Sequence, residues 1–292
     1  MLRTKILRKI YITTLIIFVL FVISSFTINK SILNIKTEYQ TRISSIYLLD
    51  EHNYLLKVNI SLKDNIKENI PIIFNNLKEN NKHYSGLKGL IPANTKINDF
   101  EISNKILSID LTDDLLMVND DIKEKIIESM VYSFINLKEI DGVKITVNNK
   151  PINNVDILTK EIGINKEYDI NRITDIKKVV LYYYEEKNNN KYYVPVTKYV
   201  NSQDDKIKII IDNLKTNYLT KTNLMSYLND RVNILKYEKT NNIVTISFAN
   251  VLDFDQDNIL EEVIYTLSNS IKDSNIATKV IFMQNDQIIS IK

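Results

Sequence analysis

The chain has 292 residues, 44% hydrophobic and 25% charged, a globular composition long enough for two domains of ordinary size. A formal net charge of +2 argues against nucleic acid as a partner. The absence of cysteine excludes disulfides, thiol catalysis, Cys-ligated zinc and a lipidated N-terminal cysteine.

The first 26 residues place Arg3, Lys5, Arg8 and Lys9 before an almost unbroken apolar run from Ile10 to Phe26. About 17 apolar residues lie near the lower limit for crossing a bilayer. The basic flank, residues 1–9, is expected to stay in the cytoplasm and to send the rest outward. We read residues 10–28 as a single uncleaved transmembrane anchor; a cleaved signal peptide is the competing reading. Residues 29–41 are polar and read as a stalk.

A first folded unit is expected over residues 42–152. Ile46–Leu49 and Tyr54–Leu62 read as a hairpin around Asp50-Glu51-His52-Asn53. Ile70, Ile73, Phe74 and Leu77 then recur at helical spacing, with Pro71 at the helix start and Asn69 as its cap. Residues 80–96 form an irregular loop. A hairpin follows around Ser103-Asn104-Lys105, then a helix from Asp120 to Leu137 with its stripe on Ile122, Ile126, Met130 and Phe134. Val143–Val147 closes the unit as a strand. Residues 153–176 read as an ordered-to-flexible linker.

The second unit, residues 177–292, repeats this order. Two strands flank Lys187–Asn190, and a helix starting at Asp204 carries Ile207, Ile210, Ile211 and Leu214 on one face. A hairpin turns at Thr240–Asn242. The helix from Asp257 buries Leu260, Val263, Ile264, Leu267 and Ile271, and two strands close the chain. Phe74–Lys78 falls on Ile211–Lys215 and Ile106–Ile109 on Ile243–Ile246. Past the next loop the best match of letters shortens the offset by about four, setting Met130 on Val263. The expected fold class is therefore α+β: two tandem similar domains, each a small sheet packed against two helices, behind a transmembrane helix.

No catalytic constellation stands out. His52 and His83 lie in expected turns, without a second histidine at metal-ligand spacing. Asp253, Asp255 and Asp257 begin like a calcium loop, but Asn258 and Ile264 break the pattern, and capping of a helix N-terminus explains them, as it does Asp113, Asp114, Asp120 and Asp121. A hydrolase would need two carboxylates desolvated in one cleft, and no pair is singled out. Asparagine is abundant, which we read as coding bias. Seventeen tyrosines stand beside no tryptophan. Tyr182, Tyr183, Tyr184, Tyr192 and Tyr193 crowd one hairpin and are the candidate interaction surface, with cross-strand stacking as the plain alternative. No catalytic, cofactor or metal residues are assigned.

Leu181–Tyr184, Tyr193-Val194-Pro195-Val196-Thr197-Lys198 and Asp205 with Asp212-Asn213-Leu214 resemble the GerMN domain of the GerM family of sporulation and germination proteins. Leu90–Ile97, Ile106–Leu115 and Met130–Pro151 resemble the same domain in the first unit. The second unit departs from it by offering Leu224–Arg231 in place of the Pro-Ala-Asn-Thr-Lys segment. The resemblance implies a non-enzymatic protein of the cell membrane, its bulk extracytoplasmic, that assembles with envelope proteins through domains similar to ring-building modules. A channel between mother cell and forespore, and self-association, are the assemblies it suggests. Binding of cell-wall polymer or a small ligand is the alternative.

Overall fold

A computed structural model describes residues 42–81, 86–171, 174–215, 223–228, 232–249 and 257–292, with side chains from Glu261 onward in the last segment. The expected anchor, its basic flank and the stalk lie outside the described residues, as does His83. Among the described residues no helix is long and apolar enough to cross a membrane.

The first half runs β1 (Arg42–Leu49), β2 (Leu55–Leu62), α1 (Ile66–Asn76), β3 (Ile97–Ser103), β4 (Ile106–Leu111), α2 (Asp120–Ile135), β5 (Gly142–Val147) and β6 (Lys150–Pro151). After β7 (Glu167–Asp169) the second half repeats it. It runs β8 (Ile176–Lys187), β9 (Asn190–Asn201), α3 (Lys206–Lys215), β10 (Ile234–Thr240), β11 (Ile243–Phe248), α4 (Asp257–Asp273), β12 (Lys279–Gln284) and β13 (Gln287–Ile291).

The turns explain why this chain manages with four glycines. Asn104-Lys105, Asn148-Asn149, Asn188-Asn189 and Asn285-Asp286 each hold two successive residues at positive φ. Such pairs match the twist of the strands they join, and asparagine enters the left-handed region more readily than other side-chain-bearing residues. Asparagine also supplies most of the remaining positive-φ positions. Its abundance thus has a structural use that the reading as coding bias missed.

Two small sheets have the same plan. In β3-β4-β5-β6 and in β10-β11-β12-β13 the outer pairs are antiparallel and the middle pair is parallel. A parallel pair needs a crossover, and α2 and α4 supply it. Most of their expected stripes are buried, Ile126, Met130 and Phe134 on α2 and Val263, Ile264, Leu267 and Ile271 on α4; Ile122 is half-buried, and the Leu260 side chain lies outside the described residues.

The third sheet is shared. β9 pairs along its length with β8 and, on its other side, meets β2 antiparallel at Lys57↔Tyr193. Both outer strands are sealed in the same manner. Ser133 on α2 accepts the Tyr47 N–H at 3.0 Å, and Leu49 exchanges two backbone bonds with Lys88. In the second half Ser270 on α4 accepts the Tyr182 N–H at 2.9 Å, and Tyr184 exchanges two with Met225. An open edge strand invites pairing with other chains; helix hydroxyls and loop backbone close these two.

That equivalence of Ser133 with Ser270 corrects the alignment of the helices. Met130 corresponds to Leu267 rather than Val263, so the offset does not shorten. A slip of four residues is about one helical turn and leaves the apolar stripe on the same face, so hydrophobicity alone cannot detect it.

Two other expectations are corrected. Helix α1 begins at Ile66, capped by Asn65, whose Oδ1 accepts the Lys67 N–H at 3.0 Å, and Pro71 lies inside it. The bond Pro71 cannot donate would have gone to the Lys67 carbonyl, and Lys67 is exposed. Asn69, expected as the cap, is buried and pairs with both the N–H and the carbonyl of Lys63 at 2.9 and 2.8 Å. The segment expected as a linker is built into the shared sheet. β7 pairs parallel with β9 at Glu167↔Lys198 through Asp169↔Val200, and Asn165 is buried where β2 and β9 part.

Asn165 accepts the Leu55 N–H at 2.8 Å and donates to the carbonyls of Leu55 and Pro195 at 3.0 and 2.9 Å. Asn165→Ala leaves these buried groups without partners, at about 1–3 kcal/mol each. Chemical denaturation of the variant is expected to show a loss of about 3 kcal/mol or more, and a loss under about 1 kcal/mol would mean that water replaces the amide.

Candidate functional site

The expected tyrosine surface is only partly a surface. Tyr182 and Tyr183 are 2% and 1% exposed, so for these two the expectation is corrected. Their side chains leave opposite faces of β8, as strand alternation requires. The Tyr182 hydroxyl donates to Asp273 at the end of α4 at 2.6 Å. The Tyr183 hydroxyl reaches the Asn213 carbonyl on α3 at 3.5 Å. Burial, then the Asp273 carboxylate, pushes the Tyr182 hydroxyl well above the usual phenol range.

The other three are half-buried. Tyr184 stacks on Tyr227 with centroids 4.0 Å apart, and the Lys191 ammonium lies over both rings. The Tyr193 ring lies tilted against Tyr265 with centroids 4.1 Å apart, and its hydroxyl donates to Glu262 on α4. Tyr192 packs against the core. The hairpin tyrosines thus serve mainly to seat α4 and the segment around Met225.

Several of these contacts join the two halves. Lys57 on β2 donates to the Tyr265 hydroxyl on α4 at 2.9 Å. Lys160, in a 3-10 turn at Lys160–Ile162, pairs with Asp273 at 3.1 Å. Its own carbonyl accepts from the Tyr132 hydroxyl on α2 at 3.0 Å.

The structure also assembles a group that sequence reading missed. The turn after β1 and the far end of β8 meet: Lys187 pairs with Glu51 at 3.0 Å, and Asn223 contacts the His52 ring. Beneath them lie Asp50 and Glu185, 3% and 4% exposed. One ligand atom from each of Asp50, His52 and Glu185 lies within 4.8 Å of the others. Asp50 Oδ1 accepts from the backbone of His52 at 3.0 Å and of Tyr54 at 2.6 Å. Asp50 Oδ2 and Glu185 Oε2 are buried with no hydrogen-bond partner. Burial, then the Asp50 carboxyl, raises Glu185 to about 7. Asp50 also borders a cavity of about 440 Å³ with Glu51, Asn53, Gly86, Leu87 and Lys88; Glu185 does not.

One signal could have found this pair. Leu48-Leu49-Asp50-Glu51-His52-Asn53 aligns with Tyr183-Tyr184-Glu185-Glu186-Lys187-Asn188, which puts an acid at the same place in both repeats. The other acids behave as helix starts. Asp120 and Asp121 open α2 behind Asn119, which accepts the Ile122 N–H at 2.9 Å. Asp113 and Asp114 begin a 3-10 turn. Asp253 and Asp255 lie outside the described residues.

Residues 45–153 match the family described as Germane: Sporulation and spore germination. The spore germination protein GerM of Bacillus subtilis (strain 168) is 22% identical over 212 residues, covering 68% of this chain and 58% of that protein. The solved tandem GerMN domains of the sporulation protein GerM from Bacillus subtilis superpose with a TM-score of 0.72 at 20% identity. That match covers 85% of this chain and 92% of the other. Residues 45–153 thus carry that family's domain, and the three likenesses together support a GerM family sporulation or germination protein. The fold is the tandem GerMN-like α+β fold. The acid pair draws one residue from each repeat.

Glu185 holds its proton more tightly folded than unfolded. In chelator-treated protein its contribution is therefore lost as pH rises from the ordinary 4.5 through about 7. Glu185→Gln is expected to flatten that slope and to raise the melting temperature near pH ~8 while changing little near pH ~5. Parallel thermal-melt profiles for variant and wild type would show that Glu185 ionises normally.

Proposed function

We propose that this chain is a GerM family protein, non-enzymatic and membrane-anchored, whose body lies outside the cytoplasmic membrane and which assembles with envelope proteins during sporulation or germination. The observation that carries the reading is the family match over residues 45–153. The relative named as a spore germination protein supports it, and the basic flank followed by an apolar run at the N-terminus supports the anchor.

The described body suits contact better than turnover. The two carboxyls that come together are too buried to meet a substrate, and only Asp50 borders the adjoining cavity. An anchor confines the protein to two dimensions and raises the effective concentration of its contact surfaces. The alternative, an aromatic platform for cell-wall polymer, loses Tyr182 and Tyr183 to the core.

A chain lacking residues 1–28 is expected to leave the membrane fraction of spore-forming cells and to lose the crosslinks that the full chain makes to envelope proteins. A full chain found in the soluble fraction, or one that crosslinks to no protein while spores form, would overturn the proposal.

A further inference from the structure

The acid pair at the meeting of the two repeats calls for a positive charge that the described residues do not supply. Asp50 Oδ2 and Glu185 Oε2 are each buried without a hydrogen-bond donor, and one oxygen of each carboxyl lies within 4.8 Å of the other. Leaving a buried carboxylate oxygen unpaired costs free energy. Lys187, the ammonium near them, is engaged by Glu51 at 3.0 Å. The His52 ring completes the group, exposed on a turn and within 4.8 Å of both acids.

We propose that Asp50, His52 and Glu185 bind a first-row divalent cation, and that the ion pins the first repeat to the second. Two carboxylate oxygens and one imidazole nitrogen suit zinc or manganese better than calcium or magnesium, which favour oxygen alone. The second oxygen of Asp50 is already fixed by the backbone N–H groups of His52 and Tyr54. Such outer bonds hold a ligand in its binding orientation. Ligand atoms about 2.0–2.2 Å from one four-coordinate ion stand about 3.3–3.6 Å apart. The group therefore contracts on binding, and the exposed His52 side chain is the ligand that moves, exchanging its contact with Asn223 for the ion. The ligands come from a turn of the first repeat and a strand of the second, so the ion acts as a clasp across the joint.

The test uses the full chain in detergent, stripped with chelator and dialysed against zinc or manganese. One equivalent of zinc or manganese is expected to remain bound by elemental analysis, and the melting temperature is expected to rise. His52→Ala is expected to weaken binding by at least about tenfold, the loss that removing even an outer partner produces. Its metal-free melting temperature should stay at the wild-type value, because His52 is exposed. Glu185→Gln is expected to abolish retention while remaining folded. Wild type that retains neither metal would overturn the proposal and leave the carboxyls sharing a proton. So would His52→Ala and Glu185→Gln proteins that bind as tightly as wild type.

Discussion

The amide of Asn165 is the interaction on which the shared sheet depends. β2 and β9 meet at one antiparallel pair, Lys57↔Tyr193, and then part inside the protein. Parting strands expose backbone groups that water cannot reach, and such groups must be paired. The side chain of Asn165 has the donor and acceptor of a peptide and takes the place of the missing strand between Leu55 and Pro195. Its backbone sits at φ 48°, a conformation asparagine tolerates. Its own N–H goes to Glu128 at 3.1 Å, and Lys166 sits 3.1 Å from the same carboxylate group. Glu128 is only 2% exposed, and a carboxyl buried this deeply needs both an ion partner and hydrogen bonds. A segment between the repeats thus carries the bonds that let the repeats share a sheet.

A shared sheet changes what a tandem array means. Two domains on a flexible tether would each expose the edge of their own hairpin. Here β2 and β9 cover one another, while helix serines and loop backbone close β1 and β8. Residues 43–292 accordingly form one compact unit. Among the described residues, no helix hydroxyl is seen to close the outer edges of the two small sheets, and Ile288 and Ile291 on β13 are exposed.

Much of this was legible in the letters. Hairpins showed themselves through Asn-Asn and Asn-Lys turns, and helices through their apolar stripes, because both are local signals. The repeat was legible for the same reason. What escaped were features set by distant partners. Asn69 looks like a cap but bonds backwards to Lys63; the capping residue is Asn65. The chain around Asn165 looks like a connector because its partners lie 30 and 110 residues away. Tyr182 and Tyr183 look like a surface until α4 and α3 are laid over them. Asp50 and Glu185 are unremarkable turn and strand acids until the two repeats face one another.

That facing arrangement is where duplication becomes chemistry. When a copied element packs against its original, each position meets its own counterpart, as in an isologous interface. Identical apolar residues do this without conflict; identical charges do not. Several equivalent positions here have diverged accordingly. His52 corresponds to Lys187, and Lys187 can pair with Glu51. Asn136 corresponds to Asp273: the first donates to the Ser45 carbonyl, and the second accepts the Tyr182 hydroxyl and holds Lys160. Asp50 and Glu185 are the exception, acids that kept the same sign and were buried together. A like-charged buried pair is costly unless a shared proton or something positive relieves it, and burial together with Asp50 raises Glu185 to about 7. That both acids remain, with a histidine at their rim, makes this joint the place where the chain departs from a purely structural duplication.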